Sequence, residues 1–564
     1  MRIRIVKRKA ALKIPATLAD VITALSAVPS LSDKRRRDLV SACSSTARLA
    51  ARDPSELPAK VAELRDLFAG LHHVQGRITA KRCANIRSDL AAALLVVGVM
   101  PALDPDTELS LSWTAFLGKA TAKHHAIFLS RFARFCSLRQ IDPSAVNNEV
   151  LKRFESYLEL RILTNDPRKI VRDTAKSFNV IIKRAGLDDA LLKTARGERY
   201  VSTPLNAYPA SLQADIERYI RRLEKPDLFT DEGPSRALRP TSLRNTRAHL
   251  RQILAAAIAA GTPPDHFKSL ADLIDIQVLE GAFAQITDRR GGQMSTSLAN
   301  ILATLLAIAR YYVKAPEAVI RRLAKAKQQI SDRLGNTHRV MSKKSQRRMD
   351  QFSDEDNVAL VIALPQTLIA RANRKSGSPR GALDAMTAAG IAFLLGCPAL
   401  RMANLAGLRM EEDLTRDGKN RHVTFHIHIA AEKTKGRQSI QARLIPPLST
   451  VIDHYLKHHR KHLTAVPADW VFPSQGGGPR SPAHLGDFLK QRIFRETGIV
   501  MNPHLFRHLS AFLYLHDHPG EYESVRRLVG HAKIETTTAF YSPQSNQASF
   551  DRYGEVLDRY RRDK

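Results

Sequence analysis

Apolar residues recur at helical spacing through most of the first 340 positions of the chain. In the stretch 79–98, Ile86, Leu90 and Leu94 fall on one face of a helix. The stretch 32–50 follows the same period, with Ser32 placed to cap its first turn. The pattern therefore predicts a helical amino-terminal region.

A helical module follows between about residues 111 and 200. The helix predicted at 124–138 has an apolar stripe of three phenylalanines, Phe128, Phe132 and Phe135, with Arg131 and Arg134 beside it. A second helix is predicted to start at the Asp-Pro pair of 142–158, and a third covers 168–186.

A similar arrangement recurs about 120 residues later, between about 203 and 340. The stretch 240–261 begins at Pro240 and ends at Gly261, as helix punctuation predicts. Its apolar face consists of Leu243, Leu250, Leu254 and Ala257, and its basic cluster consists of Arg244, Arg247 and Arg251. The pattern is equally compatible with duplication of one module and with two modules of independent origin.

The pattern changes after a basic, polar linker at 341–355. Residues 422–447 alternate apolar and polar positions around "KTKG", which predicts a small antiparallel sheet with a tight turn. We therefore expect a mainly α protein with a small antiparallel β-sheet in its last domain (α+β). The expected domains are 1–105, 106–200, 201–340 and 356–564.

The charge balance narrows the choice of partner. Lys and Arg number 88 against 55 Asp and Glu, a formal net charge of +33. Such an excess of positive charge, in a chain whose composition is that of a folded protein, points to a polyanionic partner. Nucleic acid is the simplest choice, and an anionic membrane surface or the ribosome are the alternatives.

The longest apolar run, 90–100, is shorter than the roughly 20 residues of a membrane span. Four scattered cysteines without CxxC spacing favour a reducing cytoplasm.

Candidate chemistry lies in separate stretches of the last domain. Arg401 stands at the head of a predicted helix, and Lys433 at a strand end or hairpin turn. His504 and Arg507 are three residues apart, which would place both on one helical face. His531 follows Gly530, and a polar run then leads across to Tyr541.

The order Arg, Lys, H-x-x-R, G-H, Tyr resembles that of the tyrosine recombinase (phage integrase) family. "LRMANLAGLRMEED" (400–413) is similar to the family's first arginine box, and "LVGHAKIETTTAFY" (528–541) to its ending. The resemblance covers residues 352–564. Phe506 departs from it, since leucine is more usual before the family's second arginine.

The chemistry of this reaction explains the residue types. A phenol has a pKa near 10, so Tyr541 as a nucleophile needs its proton removed. Arg401 and Arg507 can each grip phosphate oxygens in bidentate fashion, and His504 is the candidate proton acceptor. His531 would form a hydrogen bond with the phosphate. Lys433, or alternatively Lys435, would protonate the leaving 5′ oxygen.

The resemblance implies a covalent 3′-phosphotyrosine intermediate that needs neither metal nor other cofactor. It implies double-stranded DNA as substrate, with a dimer on one site and a tetramer at synapsis. It also allows accessory proteins and implies the bacterial cytoplasm as the location. An integrase or transposase of a mobile element is the leading function. A catalytically silent DNA-binding regulator on the same fold is the alternative.

The family architecture also implies a C-shaped clamp in which helical modules and the catalytic domain close around DNA. Arg244, Arg247 and Arg251, and likewise Arg131 and Arg134, would contact the phosphate backbone, although a solvated helix face is the plain alternative. The tail 542–564 is expected to dock on a neighbouring protomer. The histidine-rich stretches 426–428 and 458–462 are expected to be solvated rather than metal-binding, since no cysteine or acidic pair accompanies them.

Overall fold

The computed structural model describes residues 14–101, 108–120, 122–163, 166–184, 191–192, 203–226, 234, 236–335, 341–418, 422–541 and 546–562. Within these ranges the chain forms α-helices joined by turns and short 3-10 helices, together with one three-stranded antiparallel sheet. The predicted fold class, mainly α with a small antiparallel sheet, is confirmed.

The helices before residue 341 begin and end at the signals that the sequence provides. The hydroxyl of Ser32 accepts a hydrogen bond from the backbone N–H of Arg35, and Pro240 opens its helix as the first residue. The helices are α1 (Leu18–Ser26), α2 (Asp33–Leu49), α3 (Val61–Gly70), α4 (Ala80–Val96), α5 (Leu111–Gly118), α6 (Lys123–Leu138), α7 (Asn148–Glu159), α8 (Pro167–Arg184), α9 (Ala210–Glu224), α10 (Pro240–Ala259), α11 (Leu270–Leu273), α12 (Ile276–Asp288), α13 (Thr296–Ile308) and α14 (Glu317–Leu334).

These helices enclose separate hydrophobic cores. One gathers Leu18 to Met100 together with Leu163, a second gathers residues from Trp113 to Leu192, and a third gathers residues from Tyr208 to Ile330. The three cores follow the three helical stretches expected from the sequence, while the domain boundaries themselves stay predictions.

The second and third cores share a connection motif. Helix α6 is followed by Gln140 and α10 by Gly261, both at positive φ (54° and 105°), and each is then followed by a 3-10 helix that starts at a proline, Pro143 or Pro264. The predicted helix start at the Asp-Pro pair is therefore wrong. Helix α7 begins at Asn148, because the side chain of Asn147 provides the cap.

The elements after residue 341 build the mixed part of the chain. The predicted linker contains a short helix, α15, followed by a 3-10 helix, Asp350–Ser353. The helices here are α15 (Lys343–Met349), α16 (Glu355–Asn373), α17 (Pro379–Gly396), α18 (Met402–Ala406), α19 (Pro446–His454), α20 (Pro482–Thr497), α21 (Leu505–Asp517), α22 (Tyr522–Val529), α23 (Ile534–Tyr541) and α24 (Asn546–Arg562).

The sheet has the order β1 (Leu414–Asp417), β2 (Thr424–Ile429), β3 (Ile440–Arg443), with both pairs antiparallel. Strand β1 was not predicted, because its exposed residues Thr415, Arg416 and Asp417 give no alternation. The predicted tight turn is also wrong: the β2–β3 connection spans 430–439 and contains a 3-10 helix, Ala431–Lys433.

Helix α17 is the central element of this region and is buried along most of its length. A side chain at Gly390 would meet Leu489 of α20 at 3.0 Å, so glycine lets the two helices pack closely. Asp384 of α17 is 4% exposed and binds Arg371 at 2.8 Å, while Arg371 also binds Glu496 at 2.7 Å. Arg492 completes this buried ion network on Asp384.

Two other sequence expectations need correction. Phe128 is 44% exposed, so only Phe132 and Phe135 of the predicted stripe enter the core. His459 of the stretch 458–462 is fully buried, with Nε2 at 2.8 Å from Oδ1 of Asn373, and is not a solvated residue.

One described segment, Thr296–Val313, is long and apolar enough to cross a membrane, with a mean hydropathy of 1.3. Its residues Leu298, Ile301 and Leu302 are buried in the third core, so packing inside the module accounts for the apolar composition.

By Cα proximity the chain divides into two compact units. One holds residues 1–197, 348–513 and 528–530, and the other holds 198–347, 514–527 and 531–564. The span expected as the catalytic domain is thus divided between the two units.

Candidate active site

Arg401 is the N-cap residue of α18, as its place at a helix head predicted. Its carbonyl accepts the backbone N–H of Leu405 at 2.9 Å, and Leu405 and Leu408 are buried behind it. Loss of solvent lowers the pKa of the Arg401 guanidinium. Among the described residues no carboxylate forms an ion pair with Arg401, and Glu412 binds Arg409 and Lys433.

Arg507 lies in the first turn of α21 and is 3% exposed. Its Nη1 donates to the carbonyl of Ala399 at 3.0 Å, and its Nη2 donates to the carbonyl of Val529. These bonds connect the segment before Arg401 with the end of α22. The guanidinium is therefore held in one orientation by backbone on two sides.

His504 stands just before α21 rather than within it, which corrects the expectation of one helical face. Its carbonyl accepts the backbone N–H of Arg507 at 3.2 Å. The residue keeps solvent-exposed surface, while its ring lies 5.1 Å from that of His508, measured between centroids. Loss of solvent, and then the guanidiniums of Arg507 and Arg401, lower the pKa of His504. The imidazole is thus neutral at pH 7 and able to accept a proton.

Lys433 ends the 3-10 helix between β2 and β3. Its Nζ lies 2.5 Å from Oε1 of Glu412 and 2.9 Å from Oδ1 of Asp413. Loss of solvent opposes the charged form, but the hydrogen bonds to Glu412 and Asp413 outweigh it and raise the pKa of Lys433. Lys435 lies in the exposed turn that follows.

His531 follows the end of α22, where Gly530 adopts a positive φ of 63°. The backbone N–H of His531 donates to the carbonyl of Arg526 at 2.9 Å, and Nη1 of Arg526 donates to the carbonyl of His531 at 3.0 Å. Nδ1 of the imidazole lies 3.0 Å from the hydroxyl oxygen of Thr537. Backbone and ring are therefore both fixed.

Tyr541 is the last residue of α23 and is 1% exposed. Its ring lies parallel to that of His531, with an interplanar angle of 9° and 6.4 Å between centroids. The polar run from 534 is thus a helix rather than an extended crossing, and it holds the phenol inside the protein.

The structure brings Arg507 close to His504 and to the segment of Arg401, since Arg507 bonds the carbonyl of His504 and that of Ala399, two residues before Arg401. Lys433 is tied to the same unit through α18, because the side-chain N–H of Asn404 donates to the Lys433 carbonyl at 3.0 Å. His531 and Tyr541 form a second group in the other unit.

Sequence reasoning missed the residues that hold Lys433. Asp413 is 3% exposed although it is charged, and Asn404 is 8% exposed. A buried carboxylate requires a paired cation, but burial is not visible from the sequence of this short polar stretch. The one available signal was the row of acidic residues, Glu411 to Asp413, beside the predicted helix.

The arginines proposed to contact DNA differ in their surroundings. Arg131 and Arg134 of α6, and Arg244 and Arg251 of α10, are exposed. Arg247 instead binds Glu217 of α9, with Nη2 at 2.5 Å from Oε2, and so helps to join two helices.

No group of three or more His, Cys, Asp or Glu side chains with metal-binding geometry occurs among the residues that the structure describes. Cys43, Cys83, Cys136 and Cys397 are buried as free thiols. Loss of solvent raises the pKa of Cys397 to about 11 and that of Cys43 to about 12.

Residues 366–547 match the phage integrase family model. Tyrosine recombinase XerC of Pseudomonas syringae pv. syringae is 26% identical over 307 residues, covering 54% of this chain and 86% of that protein. XerC of Pseudomonas savastanoi pv. phaseolicola is 25% identical over the same length.

Among solved structures, a lambda integrase dimer bound to a COC′ core site is 14% identical, with a TM-score of 0.35 over 58% of this chain and 94% of that one. The XerH recombinase bound to its difH substrate before cleavage is 15% identical, with a TM-score of 0.35 over 77% and 94%. The match at residues 366–547 and the XerC relatives identify a domain of the tyrosine recombinase (phage integrase) family in this chain.

Proposed function

We propose that the protein is a site-specific DNA recombinase that cuts and rejoins DNA strands through a covalent 3′-phosphotyrosine on Tyr541. The observation that carries this proposal is the position of Arg507, whose Nη1 donates to the Ala399 carbonyl, two residues before Arg401, and whose backbone N–H donates to the His504 carbonyl. Two guanidiniums beside a neutral imidazole form a site for one phosphodiester and one proton.

In the proposed reaction the Tyr541 oxygen attacks the scissile phosphorus while His504 accepts the phenol proton. Arg401 and Arg507 bind the non-bridging oxygens and stabilise the charge that develops on them. His531 donates a further hydrogen bond to the phosphate. The bond to the 5′ oxygen breaks, and Lys433 supplies the proton that this oxygen needs.

The second half of the reaction reverses the first. The 5′-hydroxyl of a partner strand attacks the phosphotyrosine, the tyrosine leaves, and the phosphodiester re-forms. Because the bond energy is kept in the protein–DNA linkage, the chemistry needs neither ATP nor a metal ion. Within this class of recombinase we propose an integrase or transposase of a mobile element.

DNA affinity would come mainly from the positive charge of the chain. The formal net charge is +33, and the exposed arginines of α6 and α10 supply contacts with the phosphate backbone. These contacts position the duplex without reading its bases.

Helix α24 supports an oligomeric complex, a dimer on one site and a tetramer at synapsis. Phe550, Tyr553, Leu557 and Tyr560 recur at helical spacing, and each is between 45% and 72% exposed. Apolar side chains in such a row need a protein partner to leave water. A second protomer is the partner that the reaction provides.

The test uses a nicked suicide DNA that contains the recombination site, taken from the DNA that flanks the gene, with EDTA present. The expected result is a covalent protein–DNA adduct that resists denaturant and is lost in Tyr541→Phe. Phe540→Leu is the matched control, since it changes the adjacent aromatic ring and leaves the nucleophile. Failure of the wild-type protein to form an adduct, with DNA binding intact, would instead favour a catalytically silent DNA-binding regulator.

A further inference from the structure

Helix α20 ends at Thr497, and the last carbonyl groups of a helix have no partner within it. Side chains from the amino-terminal helical region bind two of them. Nε2 of His72 lies 3.1 Å from the carbonyl oxygen of Arg495, and Nε2 of Gln75 donates to the carbonyl of Thr497 at 2.8 Å. Both residues lie in the loop 71–79, between α3 and α4.

The backbone at the end of α20 is shaped for this loop. Gly498 adopts a positive φ of 75°, and a side chain there would lie 2.7 Å from Cγ of Gln75 and 2.7 Å from Cβ of His72. The His72 ring also contacts Phe494, with 5.5 Å between centroids. A residue larger than glycine at 498 would therefore push the loop away.

The segment 498–503 connects the end of α20 with His504. Gln75 binds the carbonyl of Thr497 just before this segment, and Oε1 of Gln351 accepts the backbone N–H of Val500 at 3.0 Å. Oδ1 of Asn502 then accepts the backbone N–H of Leu505 at 3.0 Å. Side-chain bonds thus fix the start, the middle and the end of this segment.

We propose that the loop segment His72–Gln75 positions the H-x-x-R segment, with Gln75 and His72 capping α20 so that His504 and Arg507 stand at the correct place for the phosphate. The proposal rests on the recombinase function argued above. It assigns a role to the first helical region, which acts through the catalytic residues and touches no DNA in this step.

The same loop offers a control contact. Nη2 of Arg77 lies 2.8 Å from Oδ2 of Asp356, and the two side chains are 82% and 70% exposed. Exposed ion pairs contribute little, so Arg77→Ala should leave both docking and catalysis nearly unchanged. It alters the same loop and the same interface without touching the end of α20.

The test compares three variants in the full-length protein. Gln75→Met keeps the length of the side chain and removes its N–H donors. We expect adduct formation to slow by about 10-fold, since a small displacement of catalytic groups has an effect of this order, while DNA affinity stays unchanged. Gln75→Lys restores a donor and should recover most of the rate, and Arg77→Ala should match the wild type.

A second measurement works without DNA. Hydrogen exchange of the backbone amides at 498–505 should be faster in Gln75→Met and in Gly498→Ala than in the wild type, and unchanged in Arg77→Ala. If the wild-type protein forms no adduct on any site, the recombinase function fails, yet exchange still reports on the docking. A wild-type adduct rate in Gln75→Met, or unchanged exchange, would overturn the positioning role.

Discussion

The Nζ of Lys433 lies 2.9 Å from Oδ1 of Asp413, a carboxylate that is 3% exposed. Glu412 binds the same ammonium at 2.5 Å. Loss of solvent acts against the ammonium, but these two carboxylates raise the pKa of Lys433, so the group stays protonated through the physiological range. A protonated lysine at this position is what a general acid requires.

Lys433→Ala should therefore lose about 100-fold or more in cleavage rate on ordinary DNA. On DNA with sulfur in place of the scissile 5′ oxygen the loss should largely disappear, because a thiolate leaves without a proton. Lys435→Ala is the matched control and should stay within a few-fold of wild type on both substrates. The opposite pattern would assign the general acid to Lys435.

The pH dependence of cleavage should report His504. Loss of solvent and the charges of Arg507 and Arg401 lower its pKa, so the neutral base forms at a pH below the ordinary 6.5. The cleavage rate should rise as pH increases through this lowered pKa and be level at pH 7. Arg401→Gln removes one positive charge and should move the imidazole titration upward, which NMR of the His504 ring can measure. A downward shift would contradict the assignment.

Asp384 should matter for stability because it lies between two guanidiniums, Arg371 and Arg492. Asp384→Asn removes the buried partner of Arg492 and one of the two partners of Arg371, which keeps Glu496, and should destabilise its unit by about 3 kcal/mol, measured as a lower urea midpoint. Glu317→Gln removes one side of an exposed pair with Arg321 and should have almost no effect. Equal midpoints for the two variants would show that the buried network is not stabilising.

Glu496 should make the protein sensitive to acid. Burial favours its neutral form, but the hydrogen bonds and charge of Arg371 outweigh this and lower the pKa of Glu496 to about 2, from an ordinary 4.5. A lowered pKa stabilises the folded state above pH 4.5, and this stabilisation is lost as pH falls from about 4.5 to about 2. Thermal denaturation of Glu496→Gln should depend less on pH in this window than that of the wild type.

The basic face of α10 should contribute unevenly to DNA binding. Arg244 is exposed, whereas Arg247 is bound to Glu217. Arg244→Ala should weaken binding to specific and unrelated DNA alike and reduce the salt slope by about one. Arg247→Ala should mainly lower the melting temperature of the module. A sequence-dependent loss in Arg244→Ala would instead indicate contact with bases.

Local signals predicted the helices at 32–50 and 240–261 correctly, because caps such as Ser32 and Pro240 act within a few residues. The motif residues Arg401 and Arg507 could be chosen from the order of residue types alone. Long-range contacts could not be predicted in this way. The ion pair of Lys433 with Asp413, the burial of Tyr541 and the start of α7 at Asn148 depend on packing or on competing caps.

The buried phenol of Tyr541 has a consequence for the resting protein. A recombinase bound to genomic DNA encounters very many phosphodiesters, and cleavage at any of them outside its site would damage the DNA. Under the proposed function, the enclosure of Tyr541 at the end of α23 would keep the nucleophile away from them. Under the proposed function, cleavage would then require movement of this helix end, so that the position of α23 would control when the phenol reaches DNA.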